Sequence, residues 1–256
     1  MKLKGKVSIL TGAGAGIGRA TAFEFAREGA KLVIADVNAQ AGQSVTREIQ
    51  ALGGEARFAS SDISKPDEVK RLIATTIDTY GAIHILFNNA AVQIGTTVEE
   101  TTLEEWDTIW KINVGGIFLC SKYCMPELRK TKGNIVNMAS VNGYFAEPLS
   151  AAYCATKGAI LALTKAMAID HGAEGIRVNC ICPGYIDAGL AEAYFRIQTN
   201  PASARQEAGK LHALGRIGQA DEVAKVAVFL ASNDASFVTG SSIGVTGGMG
   251  SGLPPS

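Results

Sequence analysis

The sequence predicts an α/β fold, in which one domain is built on a mostly parallel sheet of seven strands with helices on both faces. Short, apolar, β-branched runs alternate with longer amphipathic stretches along the whole chain. Strands that alternate with helices are joined by crossovers, which makes neighbouring strands parallel and covers both faces of the sheet. The chain has 256 residues, of which 47% are hydrophobic, and this is enough for a single core spanning residues 1–256.

The first half of the chain is predicted to supply three strands and three helices. The strands cover residues 7–10, 31–35 and 57–60, and the first two helices cover residues 17–28 and 39–52, each followed by glycine. A third helix is predicted to begin after Ser64, which can cap it, with Pro66 in its first turn and Asp67 at the positive end of its dipole.

The second half continues the alternation. Strands are predicted over residues 85–88, 134–138, 177–181 and 242–245, and helices over residues 104–129, 151–171 and 221–231. Residues 185–215 break this rhythm with a long polar, alanine-rich stretch, which in a compact domain is either a lid over an active site or disordered. Because the stretch leaves the carboxyl end of a strand, where ligands bind in such folds, we expect a lid.

The composition excludes several classes of protein. The formal net charge is zero and no block of like charges occurs, so neither a nucleic acid nor a membrane surface is an expected partner. Five cysteines without CxxC spacing and three isolated histidines predict neither a disulfide framework nor a metal site, and most of the cysteines are expected in the core. We find neither a signal peptide nor an apolar run of membrane-spanning length, and therefore expect a cytoplasmic protein.

A glycine-rich turn predicts a nucleotide site. Residues 11–18 read Thr-Gly-Ala-Gly-Ala-Gly-Ile-Gly between the first strand and the first helix, where free N–H groups can receive a pyrophosphate. Asp36 ends the second strand, and its carboxylate can accept hydrogen bonds from a ribose 2′-hydroxyl and repel a 2′-phosphate. The pattern favours NAD over NADP. Arg19 is a nearby cation, for which a role on the helix surface is equally open.

A second pattern predicts proton transfer. Tyr153 and Lys157 lie four residues apart on one helical face. The lysine cation, together with the positive ring of an oxidised nicotinamide, would lower the pKa of the phenol toward that of a usable base. Ser140, which follows the strand over residues 134–138, could hydrogen-bond a substrate oxygen.

These motifs together resemble those of the classical short-chain dehydrogenase/reductase family, over essentially the whole chain. The TGxxxGIG motif of that family is matched by residues 11–18, its NNAG motif by residues 88–91, its central asparagine by Asn113, its serine by Ser140, its YxxxK motif by residues 153–157 and its PG turn by residues 183–184. The resemblance implies a Rossmann-type doubly wound fold and an NAD-dependent oxidoreductase that transfers a hydride between nicotinamide and a secondary alcohol or ketone.

The resemblance also implies roles for the matched residues. Tyr153 would be the general acid/base, Lys157 would hold the nicotinamide ribose and lower the pKa of Tyr153, and Ser140 would orient the substrate oxygen. Asn113 would support a water that connects Lys157 to solvent. The implied cofactor-binding residues are Gly12, Ala15, Gly16, Ile17, Gly18, Asp36, Asp62, Ile63, Asn89, Ala90, Tyr153, Lys157, Pro183, Gly184 and Ile186.

Two positions depart from the family pattern. Ala91 replaces the last glycine of NNAG, a small change that is expected to tighten the turn without abolishing binding. Ala188 replaces the threonine usual after the PG turn, so that one hydroxyl contact to the cofactor is missing, which would loosen NAD binding or shift the lid.

Three other functions were weighed. A hydrolase is suggested by the GxSxG match at residues 240–244, but a strand rather than a helix is predicted after the serine, and no histidine follows His212. A non-catalytic NAD-binding sensor would have little use for the four matched catalytic residues together. An epimerase or dehydratase with retained NAD fits the same base chemistry, although such relatives usually carry a larger substrate domain.

Polar residues near the predicted catalytic group suggest the substrate. Gln93, Asn142, Glu147 and Tyr185, with His212 as a further candidate, would form an unusually polar wall, which favours a small hydroxylated substrate such as a sugar or polyol. The alternative, that Asn142 and Glu147 simply face solvent, stays open. The resemblance implies a homotetramer built on the helices at residues 104–129 and 151–171 and on the last strand, with the tail at residues 247–256 reaching to a partner.

Overall fold

A computed structural model describes residues 1–251 and contains one sheet of seven parallel strands. The strands are β1 (Val7–Thr11), β2 (Lys31–Asp36), β3 (Glu55–Ser60), β4 (Ile85–Asn88), β5 (Asn134–Met138), β6 (Arg177–Pro183) and β7 (Ser242–Val245). They lie in the order β3-β2-β1-β4-β5-β6-β7, and every pairing is parallel. The predicted α/β doubly wound sheet is therefore confirmed.

Helices connect successive strands. They are α1 (Gly16–Arg27), α2 (Ala39–Ala51), α3 (Pro66–Tyr80), α4 (Leu103–Trp110), α5 (Gly116–Thr131), α6 (Ala151–His171), α7 (Gly189–Arg196), α8 (Pro201–Lys210) and α9 (Ala220–Ala231). Short 3₁₀ turns cover Val141–Gly143, Gly172–Glu174 and Asn233–Ala235, and a π-helical turn covers Lys111–Gly115. None of the helices in the described part of the chain is long and apolar enough to cross a membrane.

Alternate residues of each strand enter opposite cores. Leu10, Ile34, Phe87 and Val136 pack with side chains of α1, α2 and α9 on one face of the sheet. Their neighbours along the strands, Ile9, Val33, Leu86 and Ile135, pack with α3, α5 and α6 on the other face. This period of two explains why both faces of the sheet are covered and why the central strands β1, β4 and β5 are buried along their whole length.

The strand order changes direction between β1 and β4. β1 pairs with both β2 and β4. The chain continues from β2 to β3 on one side of the sheet and from β4 to β5 on the other side. In an open parallel sheet, a crevice forms at this point beyond the carboxyl ends of the strands. The loops that follow β1, β4, β5 and β6 meet there.

Two helical predictions were wrong. The helix predicted over residues 104–129 is divided by the π-helical turn Lys111–Gly115, which inserts an extra residue and separates α4 from α5. Ser64 does not cap α3, because its hydroxyl donates to Asp62 Oδ1 at 2.7 Å and Lys65 occupies the cap position without a side-chain bond. Pro66 and Asp67 do lie in the first turn of α3, as predicted.

The region predicted as a lid contains two helices. Residues 185–215 leave the end of β6 and form α7, which lines the crevice, and α8, which packs against α7. The stretch is therefore ordered helical structure and not an irregular loop.

Most of the cysteines lie in the core. Four of the five free cysteines are buried, and Cys154 is half-buried. Within residues 1–251, no group of three or more His, Cys, Asp or Glu side chains is arranged to hold a metal ion.

Candidate active site

The glycine-rich turn joins β1 to α1 at the crevice. Gly12 and Gly16 adopt φ angles of 61° and 55°, in the left-handed region that favours glycine. A β-carbon on Gly18 would overlap the Gly12 carbonyl oxygen and lie 2.6 Å from Asn89 Nδ2. The turn is consequently compact, and only residues without side chains can occupy these positions.

Asn89 fixes the turn to the next strand. Its Nδ2 donates to the carbonyl oxygens of Thr11 at 3.1 Å and Gly12 at 3.0 Å. In return, the Thr11 hydroxyl oxygen accepts from the main-chain N–H groups of Asn89 at 3.0 Å and Ala90 at 3.2 Å. These bonds satisfy main-chain groups beyond the ends of β1 and β4, where the ladder stops.

Asp36 lies beside the turn and lines the cavity. Its Oδ2 accepts from the main-chain N–H of Gly14 and its Oδ1 from that of Asn38, each at 2.8 Å. Each carboxylate oxygen keeps a further lone pair for a ligand. Arg19 points away from this carboxylate: it pairs with Glu48 at 2.6 Å and lies 4.6 Å from the Phe23 ring centroid, so the helix-surface role is the one observed.

Asp62 and Ile63 follow β3 on the same side of the crevice. The Asp62 carboxylate accepts from the main-chain N–H of Ser64 at 3.0 Å as well as from the Ser64 hydroxyl, and pairs with Lys65 at 3.3 Å. Ile63 is buried. Both residues line the cavity.

Ser140, Tyr153 and Lys157 converge at the other end of the cavity. Ser140 follows β5, and its Oγ accepts from the Asn142 N–H at 3.1 Å. Lys157 is only 1% exposed, and its Nζ donates to the Met138 carbonyl at 2.8 Å while lying 5.3 Å from the Tyr153 ring centroid. The spacing of four residues on α6 thus places the phenol and the ammonium side by side, as predicted.

Burial controls the acid–base properties of this group. It raises the pKa of Tyr153 well above its ordinary value; the neighbouring Ser140 hydroxyl lowers this pKa, and the negative charge of Glu147 raises it again. Burial also lowers the pKa of Lys157 to about 8. Loss of solvation is therefore the largest effect of the protein on the Tyr153 pKa, and it acts against the reduction that the sequence predicts.

Asn113 lies in the π-helical turn and is fully buried. Its Oδ1 accepts from the Val92 N–H at 2.8 Å, and its Nδ2 donates to the Val92 carbonyl at 2.9 Å and to the Thr156 hydroxyl at 3.2 Å. The amide thus connects the loop after β4 to the helix that carries Tyr153 and Lys157.

One cavity of about 1020 Å³ connects these groups. Of the predicted site residues, its walls include Gly12, Ala15, Gly16, Ile17, Asp36, Asp62, Ile63, Asn89, Ala90, Ser140, Tyr153, Lys157, Pro183, Gly184 and Ile186, together with Gln93, Asn142, Glu147 and Tyr185. Gly18 and Asn113 lie behind the walls, where they shape the turn and the helix contact. The volume is at the upper end of the roughly 300–1,000 Å³ usual for small-molecule sites.

The substrate end of the cavity is less polar than predicted. Apolar walls come from Val141, Pro148, Leu149, Leu190, Tyr194, Ile197, Leu211 and Met249. Most of them belong to the loop before α6 and to the α7–α8 region, and no sequence motif marked them. The expectation of an unusually polar pocket is therefore corrected to a pocket that contains both polar and apolar side chains.

His212 does not line the cavity. It is 2% exposed, its Nδ1 bonds with the Ala208 carbonyl at 2.9 Å, and its Nε2 accepts from the Tyr185 N–H at 3.2 Å. Both ring nitrogens are used to hold the chain behind Tyr185. The proposal of His212 as a substrate wall is therefore wrong.

The two departures from the family pattern lie at close contacts. A β-carbon on Gly12 would lie 2.7 Å from the Ala90 Cα, beside Ala91 in the cavity wall. Ala188 precedes α7 in extended conformation and supplies no side-chain cap to that helix. A β-carbon on Gly16 would lie 3.0 Å from the Gly189 Cα, so the start of α7 is close to the glycine turn.

The residues present fit a dinucleotide. The glycine turn leaves a cradle that β-carbons would fill, main-chain N–H groups at the start of α1 face it, and Asp36 offers acceptors one strand away. Ser140, Tyr153 and Lys157 stand at the far end of the same cavity. An extended ligand with a phosphate centre and a reactive group at one end suits this shape.

Comparison with known proteins agrees with this geometry. Residues 12–250 match the family described as enoyl-(acyl carrier protein) reductase. The meso-2,3-butanediol dehydrogenase of Serratia marcescens is 39% identical over 97% of this chain and 96% of its own length. The cyclohexanol dehydrogenase of Acinetobacter sp. (strain SE19) is 38% identical, over 96% of this chain and 95% of its own.

A solved structure shares the whole fold. The crystal structure of levodione reductase superposes with a TM-score of 0.94 at 32% identity, covering 98% of this chain and all of that one. Together with the motifs and the parallel sheet, these similarities show that the chain belongs to the short-chain dehydrogenase/reductase family of oxidoreductases.

Proposed function

We propose that the protein is an NAD-dependent oxidoreductase that converts a secondary alcohol to the ketone or the reverse. The observation that carries this proposal is the single cavity with Asp36 and the glycine turn at one end and Ser140, Tyr153 and Lys157 at the other. The similarity to dehydrogenases named for butanediol and cyclohexanol supports the same reaction class.

The cofactor would be held by the predicted residues. Main-chain N–H groups at the start of α1 would receive the pyrophosphate, Asp36 the adenosine ribose, and Asp62 and Ile63 would flank the adenine. Asn89 would act by holding the turn. Pro183, Gly184 and Ile186 would meet the nicotinamide end, while Gly189, close to Gly16, would cover the phosphates.

The catalytic group would move one proton. When bound, the nicotinamide accepts or supplies the hydride. Tyr153 would take the proton of the alcohol or return it to the ketone oxygen, and Ser140 would hydrogen-bond that oxygen. Lys157 would hold the nicotinamide ribose and add positive charge beside the phenol. Asn113 would position α6 through its side-chain bonds to Val92 and Thr156, and it would support a water that connects Lys157 to solvent.

The substrate proposed from the sequence is a small hydroxylated molecule such as a sugar or polyol. Gln93, Asn142, Glu147 and Tyr185 line the cavity and supply polar groups. The apolar side chains that line the same cavity favour a compact carbon skeleton that also carries hydroxyl groups. We also propose that residues 185–215, with α7 and α8, act as the lid over this space.

A conservative change at Tyr153 tests the reaction. We expect Tyr153→Phe to lower kcat for alcohol oxidation by about 100- to 10,000-fold, because the ring is retained and only the proton-transferring group is lost. The measurement is cofactor reduction against a panel of sugars, polyols, secondary alcohols and steroids, with cofactor binding measured by calorimetry. NAD binding without turnover of any panel member by the wild-type protein would instead favour the sensor, epimerase or dehydratase interpretations.

Cofactor choice gives a second test. We expect kcat/KM with NAD to exceed that with NADP by more than about tenfold, because the Asp36 carboxylate repels a 2′-phosphate. Asp36→Asn should reduce this preference by about tenfold, since charges about 4 Å apart near a surface interact by about 1–4 kcal/mol. Asp78→Asn, on the exposed side of α3, serves as the matched control. Equal efficiency of the wild-type protein with both cofactors would contradict the assignment.

The pH dependence of the reaction gives a third test, which concerns the pKa of Tyr153. Oxidation needs the phenolate and reduction the phenol, and the pKa of Tyr153 is raised, so oxidation should accelerate with rising pH while reduction slows. Removal of the Glu147 charge lowers this pKa. Glu147→Gln should therefore move the rise of oxidation to lower pH, whereas Glu99→Gln, at an exposed site, should leave it in place. Coincident profiles for the three proteins would show that Glu147 does not act on Tyr153.

We propose a homotetramer and a cytoplasmic location, both as the family resemblance implies. Exposed apolar side chains on the helices expected at the interfaces support the assembly: Trp106 on α4, Phe118 on α5 and Ile169 on α6 are 39%, 50% and 84% exposed. The tail at residues 247–256 lies partly outside the described residues, which end at 251. Sedimentation should give a tetramer, and an active monomer at assay concentrations would contradict the proposal.

A further inference from the structure

A carboxylate stands among the substrate-facing groups without a cationic partner. Glu147 lies in the loop between β5 and α6, and its Oε2 accepts from Asn142 Nδ2 at 3.1 Å. Within residues 1–251 it forms no ion pair, and besides Asn142 its side-chain hydrogen-bond neighbour is the Tyr185 hydroxyl. It lines the same cavity as Ser140, Tyr153 and Tyr185.

The position of this carboxylate relative to the reacting oxygen is fixed through one amide. Asn142 is buried; its N–H donates to Ser140 Oγ at 3.1 Å, and its Oδ1 lies 3.4 Å from the same hydroxyl. Its Nδ2 reaches Glu147. Ser140 and Glu147 therefore bond to the same residue, Asn142, which places both side chains at one part of the cavity.

The charge of Glu147 opposes catalysis by the neighbouring tyrosine. Burial is the largest cause of the raised pKa values of Tyr153 and Tyr185, and the negative charge of Glu147 raises both pKa values further. A glutamine could accept the same bond from Asn142 without this effect. The feature that only the carboxylate provides is a pair of oxygens that accept hydrogen bonds and never donate them.

We propose that Glu147, positioned by Asn142 and Tyr185, accepts a hydrogen bond from a second hydroxyl on the carbon next to the one oxidised, so that the preferred substrate is a vicinal diol. The inference rests on the proposed function and specifies the substrate of the same site. The apolar walls from Leu149, Tyr194 and Ile197 would enclose the carbon skeleton of the diol.

This arrangement sets where oxidation stops. In the first oxidation, the diol would lose its carbinol hydrogen with two electrons as hydride to a bound oxidised nicotinamide and its hydroxyl proton to Tyr153, and it would become a hydroxyketone. The remaining hydroxyl still donates to Glu147. A second oxidation would place the new carbonyl oxygen beside the carboxylate. Both groups accept hydrogen bonds and neither donates one, so this contact is unfavourable. The reaction therefore ends at the hydroxyketone.

A matched set of four-carbon compounds tests the inference. We expect the wild-type protein to oxidise meso-butanediol with a kcat/KM about 10- to 100-fold above that for sec-butanol, the usual effect of one hydrogen bond to a charged group. In the reverse direction, acetoin should be reduced about 10-fold or more faster than diacetyl, which has no hydroxyl to donate.

Glu147→Gln should reduce the selectivity for the diol, while turnover of sec-butanol persists. With its Oε1 held by Asn142, glutamine presents its NH₂ group to the substrate, so the preference in kcat/KM for butanediol over sec-butanol should fall by about 10-fold or more. The rate of diacetyl reduction relative to that of acetoin reduction should rise. Tyr185→Phe, which leaves the carboxylate but removes a neighbouring hydroxyl, should lower the diol preference less. Glu99→Gln is the control that should keep both wild-type ratios.

The outcomes separate the two proposals. Equal efficiency of the wild-type protein with butanediol and sec-butanol, or ratios unchanged by Glu147→Gln, would overturn the diol subsite and leave the alcohol dehydrogenase intact. If Glu147→Gln does not fold, an unchanged diol preference in Tyr185→Phe overturns the subsite in its place. Absence of turnover with all four compounds and with the wider panel, while NAD binds, would overturn the proposed function and this inference with it.

Discussion

The hydrogen bonds from Asn89 to the carbonyl oxygens of Thr11 and Gly12 hold two strands together just beyond the end of their ladder. At this point β1 and β4 part, because their connections lead to opposite ends of the strand order. Without a replacement for the ladder bonds, the main-chain groups would be left unsatisfied in a partly buried position. The side chain of Asn89 supplies that replacement, and the tight glycine turn follows from it. The cradle at the start of α1 therefore depends on a side chain from a different strand.

A second amide performs the same structural task deeper in the crevice. Asn113 satisfies both the N–H and the carbonyl of Val92 and also bonds the Thr156 hydroxyl, which lies on α6 between Tyr153 and Lys157. The loop after β4 is thus held at two places, by Asn89 at the glycine turn and by Asn113 beside Tyr153 and Lys157. One short loop therefore fixes the distance between the two ends of the cavity. This explains how a long ligand can be positioned at the carboxyl ends of the strands.

The sequence predicted the elements whose pattern is local. The bounds of β4, β5, β7 and α6 agree with the structure, because their apolar periods and flanking residues leave one interpretation. The glycine turn, Asp36 and the Tyr153–Lys157 pair were found for the same reason. Ser64 was misassigned as a cap because the competing acceptor, Asp62, is also a good partner for its hydroxyl. The apolar walls and the buried role of His212 were missed because they arise from packing between distant segments, which no local period encodes.

The π-helical turn has a consequence for how this chain can change length. Each residue of an α-helix rotates the next by about 100°, so loss of one residue from Lys111–Gly115 would restore a regular helix and turn every following side chain of α5 out of phase. Cys120, Cys124 and Leu128 would leave the core, and Asn113 would lose Val92 and Thr156. Point substitutions on the exposed side of this helix are compatible with the fold. A deletion of a single codon there is not, and the segment is constrained in length more strictly than in composition.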